Sequence, residues 1–180
     1  MTTLDGGRSE FRAPFSRLLG WISALTTLLL VSVVVVGLAA LPARGPIPVR
    51  SLVLILPVLL LGGAVSFSVR GYRIETGKLR INRLGWHTEV DLGALVSVHA
   101  DPGAMKRSLR LLGNGGLFSF TGLFWNRPLG TYRAFVTDPA RAVVLRIGTR
   151  TIVVSPDAPD EFVQALRSKA VRTAPHPPSV

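Results

Sequence analysis

No charged residue occurs between Leu18 and Ala43, and none between Ser51 and Val69. As a helix, the stretch Leu18 to Leu41 spans about 36 Å, enough to cross a hydrocarbon layer of about 30 Å with some tilt. The second run, bounded by Arg50 and Arg70, spans about 28 Å. Between them lies PARGPIPVR, whose three prolines and one glycine cannot continue a helix and make a tight re-entry. A cleaved signal peptide is the competing reading, but signal cores run about 7–15 apolar residues and no second span follows them. The pattern predicts a transmembrane helical hairpin over 18–69, with helices at 18–41 and 51–69. Pro57 should kink the second helix, and Gly62 and Gly63 give it a smooth face for close helix contact. Neither span holds an ionisable residue, so an ion or proton pathway has nothing to work with.

Composition agrees. Hydrophobic residues make up 48% and charged residues 17%, against about 25% charged in a soluble domain. The chain has no cysteine, which excludes disulfides, thiolate metal sites, a cysteine nucleophile and lipid anchors on sulfur. Its net charge of +11 favours anionic partners, either nucleic acid or the acidic face of a membrane. The basic residues are scattered and flank the hydrophobic runs, so membrane is the better reading. Arg8, Arg12 and Arg17 precede the first span; Arg70, Arg73, Lys78, Arg80 and Arg83 follow the second; only Arg44 and Arg50 lie between. The positive-inside rule then puts both termini in the cytoplasm of a multi-pass cell-membrane protein, with residues 1–17 as a cytoplasmic arm.

From Arg70 the pattern changes to short alternating runs. GYRIET and KLRINRL are joined by Thr76-Gly77 as a hairpin, and WHTEVD, LVSVHA, TYRAFVTD, RAVVLRI and TIVVS follow. That makes seven expected strands. Then SPDAPDEFVQALRSKAV switches to helical spacing, with Phe162, Val163, Leu166 and Ala170 on one face. Asp157 suits an N-cap, Pro159 the first turn, and Asp160 and Glu161 the positive end of the dipole. The tail from 171 to 180, rich in proline, is expected to be disordered.

Three stretches carry a family resemblance: GYRIETGKLRINRLGWHTEVDLGALVSV, GGLFSFTGLFWNRPLGTYRAFVTD and AVVLRIGTRTIVVSPDAPDEFVQAL. Together they resemble the bacterial pleckstrin-homology (PH) domains that follow membrane segments, over roughly residues 70–169. The resemblance implies an α+β fold: a seven-stranded PH-like β-barrel or sandwich over 70–170, closed by one C-terminal helix, in a membrane setting. Phosphoinositide-binding eukaryotic relatives carry a long basic loop between the first two strands. Here Lys78 and Arg80 echo its charge, but the connection is a hairpin turn too short to build a deep headgroup basin.

No chemistry beyond binding is signalled. His87, Glu89 and Asp91 alternate on one strand face, but same-face neighbours start roughly 7 Å apart, too far for ligands about 2 Å from one zinc ion. A solvated polar face is the simpler reading. The glycine-rich stretch 113–122 has no Gly-Lys-Ser/Thr ending, and no spacing suggests a catalytic triad. No enzyme, cofactor, metal or nucleic-acid partner is expected. The segment 105–127 is different. Lys106, Arg107, Arg110 and Arg127 surround Phe118, Phe120, Phe124 and Trp125, which suits a membrane-surface loop with cations for lipid phosphates and rings for the headgroup boundary. The alternative is that those rings fill the barrel. The expected function is a membrane-anchored binding or scaffold module for a protein partner, an anionic lipid surface, or both. The runner-up is an accessory subunit of a membrane enzyme or transporter.

Overall fold

The computed structural model describes residues 9–40 and 47–173, and its first strand precedes the first apolar helix. β1 (Glu10–Arg12) leads into α1 (Arg17–Ala40), and α2 (Ile47–Ser66) leads into β2 (Val69–Glu75). β1 and β2 pair antiparallel, Phe11 opposite Tyr72 and Arg12 opposite Gly71. The polypeptide therefore leaves the domain for the helices and comes back to it through neighbouring strands. Three residues of the expected N-terminal arm belong to the sheet. Their approach is close: a Cβ on Gly71 would lie 2.8 Å from the Phe11 carbonyl oxygen, so only glycine fits without moving β1.

α1 and α2 pack along each other, with Val53 over Gly37. Among the described residues, only α1, at 24 residues, is long and apolar enough to cross a membrane by length and composition; the apolar part of α2 is the shorter Ser51–Ser66. The second helix thus stops three residues before the expected boundary, because Val69 is already buried in the domain as the start of β2. It also starts earlier, at Ile47, since Pro48 at its second position lacks only an N–H that has no intrahelical acceptor. Most of the expected proline loop lies outside the described residues, at 41–46, as do 1–8 and 174–180.

β3 (Lys78–Arg83) and β4 (His87–Asp91) complete a four-stranded sheet in the order β1-β2-β3-β4. The second sheet has six strands: β5 (Leu95–Ala100), β6 (Leu109–Gly115), β7 (Phe120–Asn126), β8 (Gly130–Val136), β9 (Val143–Ile147) and β10 (Arg150–Val154). Their order is β5-β9-β10-β8-β7-β6. β10 is antiparallel to β9 but parallel to β8. An Asp138-capped turn at Pro139–Arg141 carries the chain past the slot that β10 later fills. The described residues hold ten strands rather than seven, in two sheets that do not close into a barrel. The additional three are β1, β6 and β7. A three-residue strand is too short to show a period, and β6 shows no alternation because its residues are nearly all exposed.

Alternation in the central strands buries both faces of the six-stranded sheet. Phe135, Leu145 and Val154 face the first sheet, with Tyr72, Ile74, Leu79 and Ile81 opposite. Tyr132, Ala134, Val144 and Val153 face the other way, under Ala104 and Met105. α3 (Pro159–Thr173) closes the first core as expected, with Phe162 and Leu166 fully buried. Phe162 meets Phe11 edge-on at 5.0 Å and Tyr72 at 6.0 Å. Asp157, the expected cap, accepts a hydrogen bond from the Arg12 N–H (3.2 Å), so it also secures β1.

One tyrosine joins the sheets. The Tyr72 hydroxyl donates to the Phe135 carbonyl (2.6 Å) and accepts from the Ser155 N–H (3.0 Å). Burial pushes its pKa up to about 12. Tyr72→Phe should cost about 1–3 kcal/mol, since both backbone partners lose their bond in a buried site. The native contribution is full below pH 10 and declines as pH rises toward about 12. Thermal melts in detergent should therefore fall less steeply between those pH values for the variant than for the native chain.

Candidate functional site at the base of the helices

The basic-aromatic segment folds as a hairpin. β6 and β7 pair from Leu109 opposite Trp125 to Gly115 opposite Phe120. Gly113 and Gly122 face each other with φ of 107° and 138°, and a Cβ on either would lie within 2.3 Å of the opposing backbone. The hairpin's turn reaches the helices. The Phe118 N–H donates to Ser23 Oγ of α1 (2.9 Å), and Ser68 Oγ, just after α2, donates to the Phe118 carbonyl (3.2 Å). Ser119 Oγ adds a bond to the Phe67 carbonyl at 3.4 Å. Phe118 is held at φ 62°, a left-handed conformation costly for a bulky side chain. Its peptide groups, bound by Ser23 of α1 and by Ser68 just after α2, supply the constraint that keeps it there.

This arrangement divides the eight expected site residues. Phe118 belongs to the joint with the helices, half-buried. Phe124 is core, 4% exposed and stacked on Tyr132 at 6.0 Å, and Phe120 packs at the edge of the same cluster. Lys106, Arg107, Arg110, Trp125 and Arg127 are exposed. Lys106, Arg107 and Arg127 lie at the hairpin end remote from the helices, about 20 Å from the turn at strand rise.

A second group at the junction was not expected. The Trp86 Nε1–H donates to the Ser66 carbonyl at the end of α2 (3.0 Å), and its ring meets Phe67 edge-on at 5.3 Å. Phe15, Trp21, Phe67 and Trp86 are all large and exposed around the helix bases. That is how aromatic residues collect at a membrane–water boundary. Their position at the ends of the charge-free runs was the available signal, since Phe15 precedes the first run, Trp21 lies near its start and Phe67 near the end of the second.

Arg83 sits beneath this ring, 8% exposed, with its guanidinium carbon 4.1 Å from the Trp86 ring centre and 5.2 Å from that of Phe135. Burial, and then repulsion from Arg133, hold its pKa below the ordinary arginine value. The two arginines border a cavity of about 670 Å³ between the helices and the domain, whose helix side includes Leu30, Leu59 and Leu60.

On β4, Glu89 accepts from Lys78 (2.9 Å) and Arg80 (3.0 Å), which bring its pKa down to about 2. His87 Nε2 lies 3.5 Å from the same carboxylate. Among the described residues, no group of three His, Asp or Glu side chains is placed to hold a metal ion.

Residues 70–170, from β2 through most of α3, match the family model described as Bacterial PH domain. The chain belongs to the bacterial PH domain family. No curated protein and no solved structure gives a significant match. The family match begins after the apolar helices, so β1 and the helix pair are additions that this PH domain carries at its first strand. The expected short β2–β3 connection is present, with Glu75 opposite Lys78 across the turn.

Ser23 tests the joint. Ser23→Ala should destabilise the helix–domain contact by about 1–3 kcal/mol, because the Phe118 N–H loses its acceptor in a half-buried site. Limited proteolysis should then cut near 116–119 faster than in the native chain, while the Tyr72 network keeps the sheets together.

Proposed function

We propose that this chain is an integral membrane protein presenting its PH domain on the cytoplasmic face as a binding module. In this reading residues 18–69 form the membrane hairpin, 70–170 the binding domain, and both termini are cytoplasmic. The observation that carries it is the joint: an apolar helix pair grows out of adjacent strands of a PH domain and is locked to it again at Phe118. α1, at 24 residues, gives about 36 Å of helix, enough to cross the hydrocarbon layer, and the apolar part of α2, Ser51–Ser66, gives about 24 Å. The arginine excess at the domain end supports the orientation.

The partner-facing surface we assign is the outer edge of the β6–β7 hairpin. β6 is an edge strand, and Leu109, Leu111, Leu112 and Trp125 are exposed on or beside it. Lys106, Arg107, Arg110 and Arg127 add charge along the same hairpin. An unpaired strand edge with exposed leucines suits a protein partner, while anionic lipid contact belongs to the end nearer the helices.

Gly62 and Gly63 favour a second reading, an accessory subunit of a membrane enzyme or transporter. A Cβ on either would meet nothing within 4 Å; Gly62 leaves α2 bare toward its surroundings, while Gly63 borders the cavity on the domain side. A reporter fused after Val180 should read as cytoplasmic; periplasmic or extracellular activity contradicts the orientation. Gentle detergent extraction separates the two readings. A stoichiometric membrane partner lost in Gly62→Leu supports the subunit, and one lost in Leu112→Lys supports the hairpin edge.

A further inference from the structure

Arg83 is a buried cation without an anion. Its Nε is inaccessible and has no acceptor, and among the described residues no carboxylate pairs with it or with Arg133. Burying a charge is unfavourable unless it is paired and hydrogen-bonded. The rings of Trp86, Phe67 and Phe135 recover part of that cost by cation–π attraction. They offer no acceptor to the guanidinium. Instead of an acid, the nearest charge across the cavity is Arg133, on the same strand face as Phe135 and 5.4 Å from its ring. None of the residues bordering the cavity is acidic.

The other half of the cavity is apolar. Leu30 on α1 and Leu59 and Leu60 on α2 border it about two turns above the Ser23–Phe118 joint. A site with cations at one end and helix leucines at the other fits an amphiphile standing along the bilayer normal. Its volume of about 670 Å³ suits a headgroup with the start of its chains, within the usual pocket range of roughly 300–1,000 Å³. The aromatic ring around it marks headgroup depth.

We propose that this cavity holds the phosphate headgroup of one anionic lipid from the cytoplasmic leaflet, with Arg83 as its buried anchor and Arg133 as the cation at its mouth. The inference rests on the reading that the helices span the bilayer. It differs from a basic loop between the first two domain strands, because the ligand is gripped between the domain and its own membrane helices. A lipid there would satisfy the Arg83 donors, offset the repulsion between the two arginines, and tighten the helix–domain joint.

The test uses the full chain in detergent, titrated with phosphatidylglycerol or phosphatidylcholine and read by native mass spectrometry and thermal melting. One phosphatidylglycerol per chain should be retained, with an affinity about tenfold or more above that of phosphatidylcholine, since two cations face its anionic headgroup. Arg83→Met and Arg133→Gln should each remove most of that preference and of the lipid-induced rise in melting temperature. The exposed control Arg146→Gln should leave both intact. Without lipid, Arg83→Met should melt no lower than the native chain, because it removes an uncompensated charge. A large drop would make Arg83 a structural cation–π residue and overturn the proposal. Equal retention of the two lipids would overturn it as well. The same stabilisation by inorganic phosphate, with no lipid retained, would assign the site to a soluble anion. Co-flotation with liposomes isolates the underlying reading: failure to reconstitute rejects the membrane span, whereas reconstitution without a phosphatidylglycerol preference rejects the site alone.

Discussion

Everything in this molecule depends on one short ladder, the pairing of β1 with β2 across the base of the helices. A domain that merely follows a membrane segment is attached at one point and can swing about it. Here the strand before the first helix and the strand after the second are hydrogen-bonded neighbours, so the helix pair is mounted on two points of one sheet. Arg12 is bonded to Asp157 at the approach to α3, and Phe11 is packed edge-on against Phe162. The mount thus passes its constraint into the core. The glycine at position 71 is what lets the two backbones come close enough.

The second attachment follows from the first. With the helices held over the sheet, the β6–β7 turn meets them where Ser23, Ser68 and Ser119 supply short hydroxyls to the peptide groups of Phe118 and Phe67. Small polar side chains suit this place: they satisfy backbone groups that would otherwise be left unpaired in a half-buried site, and they leave room for the turn. A domain so fixed has one orientation relative to its helices. In the proposed membrane reading, its apolar edge strand and the cations at the far end of the hairpin face the cell interior, while Arg83 and the aromatic ring face the lipid. A rigid mount lowers the entropy lost on binding and restricts partners to those arriving from one direction.

Much of this was legible in the residues. The two charge-free runs announce their helices, the alternation after Arg70 announces β2 and β3, and the change of period at Pro159 announces α3 with Phe162 and Leu166 inward. What escaped was set by tertiary partners. Glu10–Arg12 is three residues long and becomes a strand only because β2 is beside it. β6 exposes leucines on both sides of its pleat, so no period marks it, and β10 enters between β8 and β9 by a rule of sheet topology rather than of local sequence. The site was half legible. Basic and aromatic residues between 105 and 127 do gather in one hairpin, yet Phe124 is core and Phe118 a joint. Arg83, counted at first only as charge near a span, proves to be buried under Trp86.

The central claim is that helices and domain move as one body. The natural chain has no cysteine, so spin labels can be introduced in pairs without removing anything. Labels at Val33 in α1 and at Lys106 beyond the far end of the hairpin, both exposed, should give a single narrow distance distribution by pulsed electron resonance in lipid nanodiscs. A distribution broadened to that of a domain swinging on a flexible linker would contradict the account.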